Sequence, residues 1–230
     1  MSENSAPYVG RFAPTPSGEL HFGSLIAALA SYFDARARRG KWLVRIEDID
    51  APRCVTGAQE AILSALHAHG MHWDDDIITQ QPRLTHYQAV TDKLIASNKA
   101  YYCTCTRKRV KEMGGAYDGR CRQVNNNAAG AAVRLRLDSP QCHFTDRILG
   151  EIAISNKHAL EDTTIMRRDG LFSYNLVVVL DDIFQHVTHI VRGADLLDTT
   201  AAHLSLYQIL GQTAPEYAHV PVAAVSPGRK

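Results

Sequence analysis

Arg11 ends a short apolar run and leads into Phe12-Ala13-Pro14-Thr15-Pro16-Ser17-Gly18, then Glu19-Leu20-His21-Phe22-Gly23-Ser24-Leu25. Read as chemistry, a strand stops, a stiff Pro/Gly loop follows, and a helix begins between His21 and Ser24. The first N–H groups of a helix have no intrahelical acceptor, so such a start binds anions. Gly23 lets a planar base or a phosphate lie against the backbone, and His21 is placed to donate to a phosphate oxygen. Taken alone, the run also fits an ordinary strand-to-helix turn capped by Ser24.

A second cluster carries sulfur. Cys103-Thr104-Cys105 is followed by Cys121 in a stretch rich in Gly and Arg, which favours a metal over three free thiols. Three thiolates fill three positions of a tetrahedron, and zinc takes four ligands. For the fourth, the chain offers Asp118, a water, or Cys142 with His143. Arg107, Lys108, Arg109, Lys111, Arg120 and Arg122 bracket these thiols, and six cations around one metal-ordered loop suit a phosphate-contacting face.

These residues need elements to hold them. Strand patterns are read at 8–12, 42–46, 133–137 and 219–225, and helix patterns at 25–39, from Thr56-Gly57-Ala58-Gln59 to near Gly70, at 84–96 and at 199–210. At Tyr174-Asn175-Leu176-Val177-Val178-Val179-Leu180 a continuous β-branched run appears, which predicts a strand buried on both faces. His186 and His189 then fall in a hairpin, and Asn125-Asn126-Asn127-Ala128-Ala129-Gly130 reads as a loop. Strand and helix alternate at both ends and flank a β-rich, cysteine-bearing middle. The expectation is an α/β protein with a parallel sheet and an inserted subdomain. Ligands of such sheets sit beyond the strand C-termini, where Arg11 to Gly18, Glu47-Asp48-Ile49-Asp50 and Asp181-Asp182 are expected to gather.

Composition narrows the class. The 230 residues are 45% apolar and 21% charged, which suits a globular chain able to bury roughly 70% of its unfolded surface. Lys and Arg total 25 against 24 Asp and Glu, so a globally basic nucleic-acid coat is excluded while a local patch is not. No apolar run approaches the length of a membrane helix, and the first residues lack a secretory pattern. Five cysteines, an odd number, suit free thiols or metal ligands in a reducing cytoplasm.

Four ordered motifs together resemble the class I glutamyl-tRNA synthetases. They are the run from Arg11, with His21-Phe22-Gly23-Ser24 where that family carries its HIGH motif; Arg45-Ile46-Glu47-Asp48-Ile49-Asp50; Tyr174 through Asp182; and Val191-Arg192-Gly193-Ala194-Asp195-Leu196-Leu197. The resemblance covers nearly the whole chain. Within the family the chain looks most like the short paralogue that lacks the anticodon-binding domain and glutamylates queuosine in the anticodon of tRNA(Asp).

The resemblance implies a Rossmann-like catalytic domain in two halves, 1–100 and 169–230, around an inserted zinc-binding, tRNA-contacting subdomain at 101–168. It implies ATP and L-glutamate as substrates, Mg²⁺ with the ATP, and a monomer in the cytoplasm. The implied glutamate pocket is Arg11, Phe12, Ala13, Pro14, Thr15, Glu47, Tyr174 and Arg192. Two Arg forks for two carboxylates and one acid for the ammonium match the charges of free glutamate. Singly, Glu47 also fits a surface acid, Arg192 a surface salt bridge and Tyr174 a core aromatic. The implied catalytic groups are His21, Gly23, Ser24 and Lys230. Lys230 would open a KMSKS-type loop at which the sequence is truncated. Ser24 replaces the second His of the HIGH motif. The implied zinc ligands are Cys103, Cys105, Tyr117 and Cys121. Asp181-Asp182 suit Mg²⁺, the pocket wall or a strand-end turn. Two other readings stand beside this one. They are the catalytic part of an ordinary glutamyl-tRNA synthetase charging tRNA(Glu), and a non-catalytic, zinc-dependent tRNA-binding module.

Overall fold

The computed structural model describes residues 7–124 and 126–223; Asn125, Lys230 and the end of the strand expected at 219–225 lie outside the described residues. In chain order the elements are β1 (Val9–Phe12), α1 (Phe22–Ala37), β2 (Lys41–Ile46), α2 (Ala58–Ala68), β3 (Ile78–Thr79), α3 (Leu84–Ala96), β4 (Ala100–Cys103), α4 (Arg107–Glu112), β5 (Ala132–Leu135), β6 (His143–Asp146), β7 (Gly150–Ala153), α5 (Lys157–Leu160), β8 (Thr164–Met166), α6 (Tyr174–Phe184), β9 (His189–Gly193), α7 (Thr199–Ile209) and β10 (Glu216–Val220).

A seven-stranded sheet runs in the order β3-β2-β1-β9-β10-β6-β7. Its pairings are parallel except for the β6–β7 hairpin. β2 and β3 extend from one side of β1, and β9 and β10 from the other, so the strand order reverses at β1. A crevice opens at such a reversal, beyond the strand C-termini. A second, three-stranded antiparallel sheet is ordered β4-β5-β8. The segment 101–168 therefore contributes to both sheets, because β6 hydrogen-bonds onto β10 and β7 onto β6.

Helix α1 follows its expected periodicity, with Ala28, Ser31 and Ala35 buried, although Phe33 is exposed. Its expected stop works differently from a glycine in the left-handed region. Arg39 takes φ 53°, and Gly40 is required because a Cβ there would lie 2.6 Å from the Tyr8 carbonyl oxygen. The capping box expected at Thr56 does not form; Gly57 caps α2 without a side-chain bond.

The strand expected at 174–180 is helix α6. Leu176, Val177, Val178, Val179 and Leu180 are all buried, because α6 packs against the small sheet, α3 and α7 at once. A helix enclosed on all sides needs no polar face, and burial of about 1.5–3 kcal/mol per side chain outweighs the few tenths by which β-branching disfavours helix. The hairpin expected at His186 and His189 is also absent. His186 turns the chain at φ 53° after α6, and His189 opens β9, which lies parallel to β1 and β10.

Candidate active site

A cavity of about 440 Å³ lies beyond the C-terminal ends of β1, β2 and β9. Arg11, Phe12, Ala13, Pro14, Thr15, Glu47, Tyr174 and Arg192 all line it, and so do His21, Gly23 and Ser24 from the start of α1. β1 delivers Arg11, the residue after β2 delivers Glu47, and β9 delivers Arg192, while α6 points Tyr174 in from the side. The loop after β1 is tied across the crevice by the Glu47 amide donating to the Pro14 carbonyl at 2.9 Å. Larger hollows lie elsewhere, one of about 1250 Å³ under the strand N-termini, but they hold none of these groups.

The charges are arranged in depth. Arg11 donates from Nε and Nη2 to the two Asp182 oxygens at 3.2 and 3.4 Å. Arg45, fully buried beneath the site, donates to Glu47 at 3.2 Å and to Gln185 at 2.8 Å, and lies 2.9 Å from Asp182. Burial opposes the charge on Asp182, yet Arg11 and Arg45 outweigh it and hold its pKa below the ordinary aspartate value. Burial lifts Glu47 above the usual carboxylate range despite Arg45 and Arg11 beside it. A cation arriving at Glu47 would complete its neutralisation. Asp181 lies 3.9 Å from the Arg45 Nε on its other side and accepts from Gln80, Arg83 and Tyr87 at 2.7–2.9 Å. The strand-end turn expected for these two acids is thus overturned: both lie inside α6 and are buried. Asp182 braces the cavity floor and Asp181 ties α6 to the chain entering α3.

Arg192 is 4% exposed and is surrounded by hydrogen-bond acceptors. It reaches the Tyr174 hydroxyl at 3.3 Å, the Leu196 carbonyl at 3.0 Å and the Thr200 hydroxyl at 2.8 Å. Burial raises the Tyr174 phenol, so it stays a hydroxyl at neutral pH.

His21 caps α1. Its Nδ1 accepts from the Ser24 amide at 3.2 Å, and its Nε2 lies 3.0 Å from the Ser24 hydroxyl. A Cβ at Gly23 would come within 3.2 Å of the His21 ring, so the glycine keeps this end of the helix open. The helix start, an imidazole and a hydroxyl together form an exposed corner suited to an anion, beside the buried Arg11 and Arg192 guanidiniums.

The sulfur cluster forms away from the cavity, on the small sheet and the loops after it. The Cys103, Cys105 and Cys121 sulfurs lie within 4.8 Å of one another. The Tyr117 hydroxyl sits 3.6 Å from the Cys103 sulfur and accepts from the Cys121 amide at 2.8 Å. Burial raises Cys105 to about 11. Cys121, although burial opposes it, falls to about 6 as the Thr104 amide donates to it. Three soft sulfurs and one oxygen converging on a point fit a small tetrahedral ion such as zinc. Asp118 is spent on Arg109 at 2.6 Å, and Cys142 and His143 pair with each other instead. Of the six bracketing cations, Arg109 and Arg122 are committed to Asp118 and to Asp162 with Asp138, which leaves Arg107, Lys108, Lys111 and Arg120 exposed.

The sequence reading assigned no role to Arg45, His203 or His219, and did not see that Asp182 braces Arg11. Two acids closing an apolar run are the one available signal, since buried carboxylates persist only when paired.

The family description "tRNA synthetases class I (E and Q), catalytic domain" matches residues 8–228. The glutamyl-Q tRNA(Asp) synthetase of Escherichia coli (strain K12) is 55% identical over 223 residues, covering 97% of this chain and 72% of that protein. Its counterpart in Shewanella oneidensis is 51% identical over 224 residues, covering 97% and 75%. A crystal structure of a glutamate tRNA ligase from Elizabethkingia meningosepticum, in complex with its amino acid, superposes with a TM-score of 0.85 at 26% identity. It covers 98% of this chain, which spans about half (52%) of that one.

Proposed function

Because the chain belongs to the family of class I tRNA synthetase catalytic domains (E and Q), we propose that it activates L-glutamate with ATP and transfers it to queuosine in the anticodon of tRNA(Asp). An oxygen of the α-carboxylate bonds to the α-phosphorus of ATP, and the bond from that phosphorus to the pyrophosphate oxygen breaks. Glutamyl-adenylate and pyrophosphate result. A hydroxyl of the queuosine ring then takes the acyl group, and AMP leaves. No covalent enzyme intermediate is needed; the chain positions two reactants and balances charge on phosphate.

In this reading Arg11 and Arg192 grip the two carboxylates, Glu47 holds the ammonium, Tyr174 closes the pocket, and 11–15 wraps the substrate. His21, Ser24 and the start of α1 receive the ATP phosphates, with Gly23 giving clearance and Lys230 contributing from a KMSKS-type loop. Mg²⁺ accompanies the ATP. Cys103, Cys105, Tyr117 and Cys121 hold zinc and order an insert, 101–168, that meets the tRNA, between catalytic halves 1–100 and 169–230. The site of action is the cytoplasm; no helix among the described residues is long and apolar enough to cross a membrane.

The observation that carries this reading is the convergence of Arg11, Glu47, Tyr174 and Arg192 on one cavity beside the α1 N-terminus. The full-length protein should exchange pyrophosphate into ATP with glutamate but not with glutamine or aspartate, and should label queuosine-containing tRNA(Asp) but not queuosine-free tRNA(Asp). Equal exchange with all three amino acids refutes the pocket. Equal labelling of both tRNAs refutes the acceptor and favours 3′-end charging.

Arg192→Ala should raise the glutamate KM roughly 10- to 100-fold, the loss of a charged hydrogen bond of about 1.5–3 kcal/mol. The ATP KM should stay within about twofold, since Arg192 lies away from the α1 corner. Steady-state exchange kinetics check both numbers, and an unchanged glutamate KM removes Arg192 from the pocket.

A further inference from the structure

Arg11 and Arg192 both line the cavity, yet the protein treats their charges differently. Arg11 is braced by the Asp182 carboxylate, whereas every hydrogen bond made by Arg192 goes to a neutral acceptor. Two of those acceptors are imidazoles. The Arg192 Nε donates to His219 Nε2 at 3.0 Å, and its Nη1 lies 3.4 Å from His203 Nδ1.

The far side of each ring decides which nitrogen is bare. His219 Nδ1 sits 2.6 Å from Asp146 Oδ2, so the ring proton belongs there and Nε2 faces Arg192 unprotonated. His203 Nε2 lies 3.0 Å from Asn175 Oδ1, and the Asn175 amide is turned that way by donating to Thr163 at 3.0 Å. His203 is therefore protonated toward Asn175 and bare toward Arg192. Both rings are fully buried.

We infer that His203 and His219 are positioning residues. Their neutral imidazoles orient the Arg192 guanidinium without cancelling its charge, leaving a buried cation in the cavity wall whose hydrogen bonds go to neutral groups and which can take a substrate carboxylate. This rests on the glutamate reading above. It also makes the grip sensitive to acid. His203 is faced by Arg192 from β9, Arg11 from β1, Tyr174 and Asn175 from α6, and His219 from β10. His219 is faced by Arg192, by Asp146 from β6, by Asp195 after β9, by Thr200 from α7, and by the Tyr217 and Phe144 rings. Burial and then Arg192 lower both imidazoles below the ordinary histidine value, so both are neutral at pH 7 and gain protons only below it. A proton on either facing nitrogen sets N–H against N–H and cation against cation, and Arg192 must move.

The test is pyrophosphate exchange by the full-length protein, with glutamate and ATP KM values measured from pH 5 to 8. His219→Leu and His203→Leu remove the acceptor; His219→Gln and His203→Gln restore a neutral one that cannot titrate. At pH 7.5 the Leu variants should raise the glutamate KM about tenfold or more and leave the ATP KM within about twofold, and the Gln variants should recover most of the loss. Below pH 6 the wild-type glutamate KM should climb, and the double Gln variant should climb less. Leu variants with unaltered glutamate KM, or with both KM values moving together, overturn the inference. So does a double Gln variant with the wild-type pH profile. If His219→Leu does not fold, His203→Leu and the Gln pH profile decide. A wild type without glutamate-dependent exchange overturns the substrate reading and this inference together.

Discussion

Chelation of the ion proposed at the cysteine cluster is expected to unfold the segment 104–131 while the seven-stranded sheet persists. The small core there consists of Tyr101, Cys103, Tyr117 and Cys121, with Cys105 and Val110 packed on it. Its helix α4 has six residues, too few to stand without tertiary support. A structural zinc contributes on the order of 10 kcal/mol to such a fold, more than this apolar cluster offers by itself. Limited proteolysis should cut within 104–131 only after chelation, and transfer to tRNA should fall before glutamate-dependent exchange does. Metal analysis should find about one zinc per chain. Purified protein free of metal and equally protease-resistant with and without chelator would exclude the ion.

Asp182→Ala is expected to destabilise the protein by about 3–5 kcal/mol, because it leaves the buried Arg11 guanidinium without its carboxylate partner and removes one of those around Arg45. Urea melts at pH 7 measure this, and the glutamate KM should rise in any folded fraction as Arg11 loses its brace. Asp182→Asn keeps the shape and removes the charge, so it should cost less. Its pH dependence carries a definite sign. The carboxylate is held below its ordinary pKa near 4, so its stabilisation is complete above that value and is lost as pH falls through the lowered one. The wild type should therefore lose stability below pH 4 more steeply than Asp182→Asn. Parallel acid limbs would show that Asp182 is not the charged partner of these arginines.

The outer parts of the site were legible because their chemistry is local. The loop from Arg11 to Gly18 and the start of α1 are marked by Pro and Gly close in sequence, although the cap itself is His21 rather than the Ser24 expected. The cysteine cluster was legible for a similar reason, since its three thiols fall within the stretch 103–121. What failed was the centre. Residues 176–180 carry no periodicity, and an apolar run of five fits a buried strand and a buried helix equally. Its partners decide the matter, and they come from α3, α7 and the small sheet. His219 and His203 could not be read because each acquires a role only from groups brought by other strands and helices: Asp146, Asn175 and Arg192. Long-range pairing supplies the specificity of the interior, and no spacing rule encodes it.

The placement of β9 between β1 and β10 bears on how the chain reaches this state. Val9 and Thr188, bonded at that seam, are 179 positions apart. On the ribosome, β1 emerges early and waits for a neighbour made only after the insert is complete. Contacts so distant in sequence close slowly, and until then one margin of β1 offers free amides and carbonyls to any other nascent strand. Synthesis of this enzyme should consequently lean on chaperones that shield its first forty residues, and nonsense truncations upstream of β9 should accumulate as insoluble material rather than as partial folds.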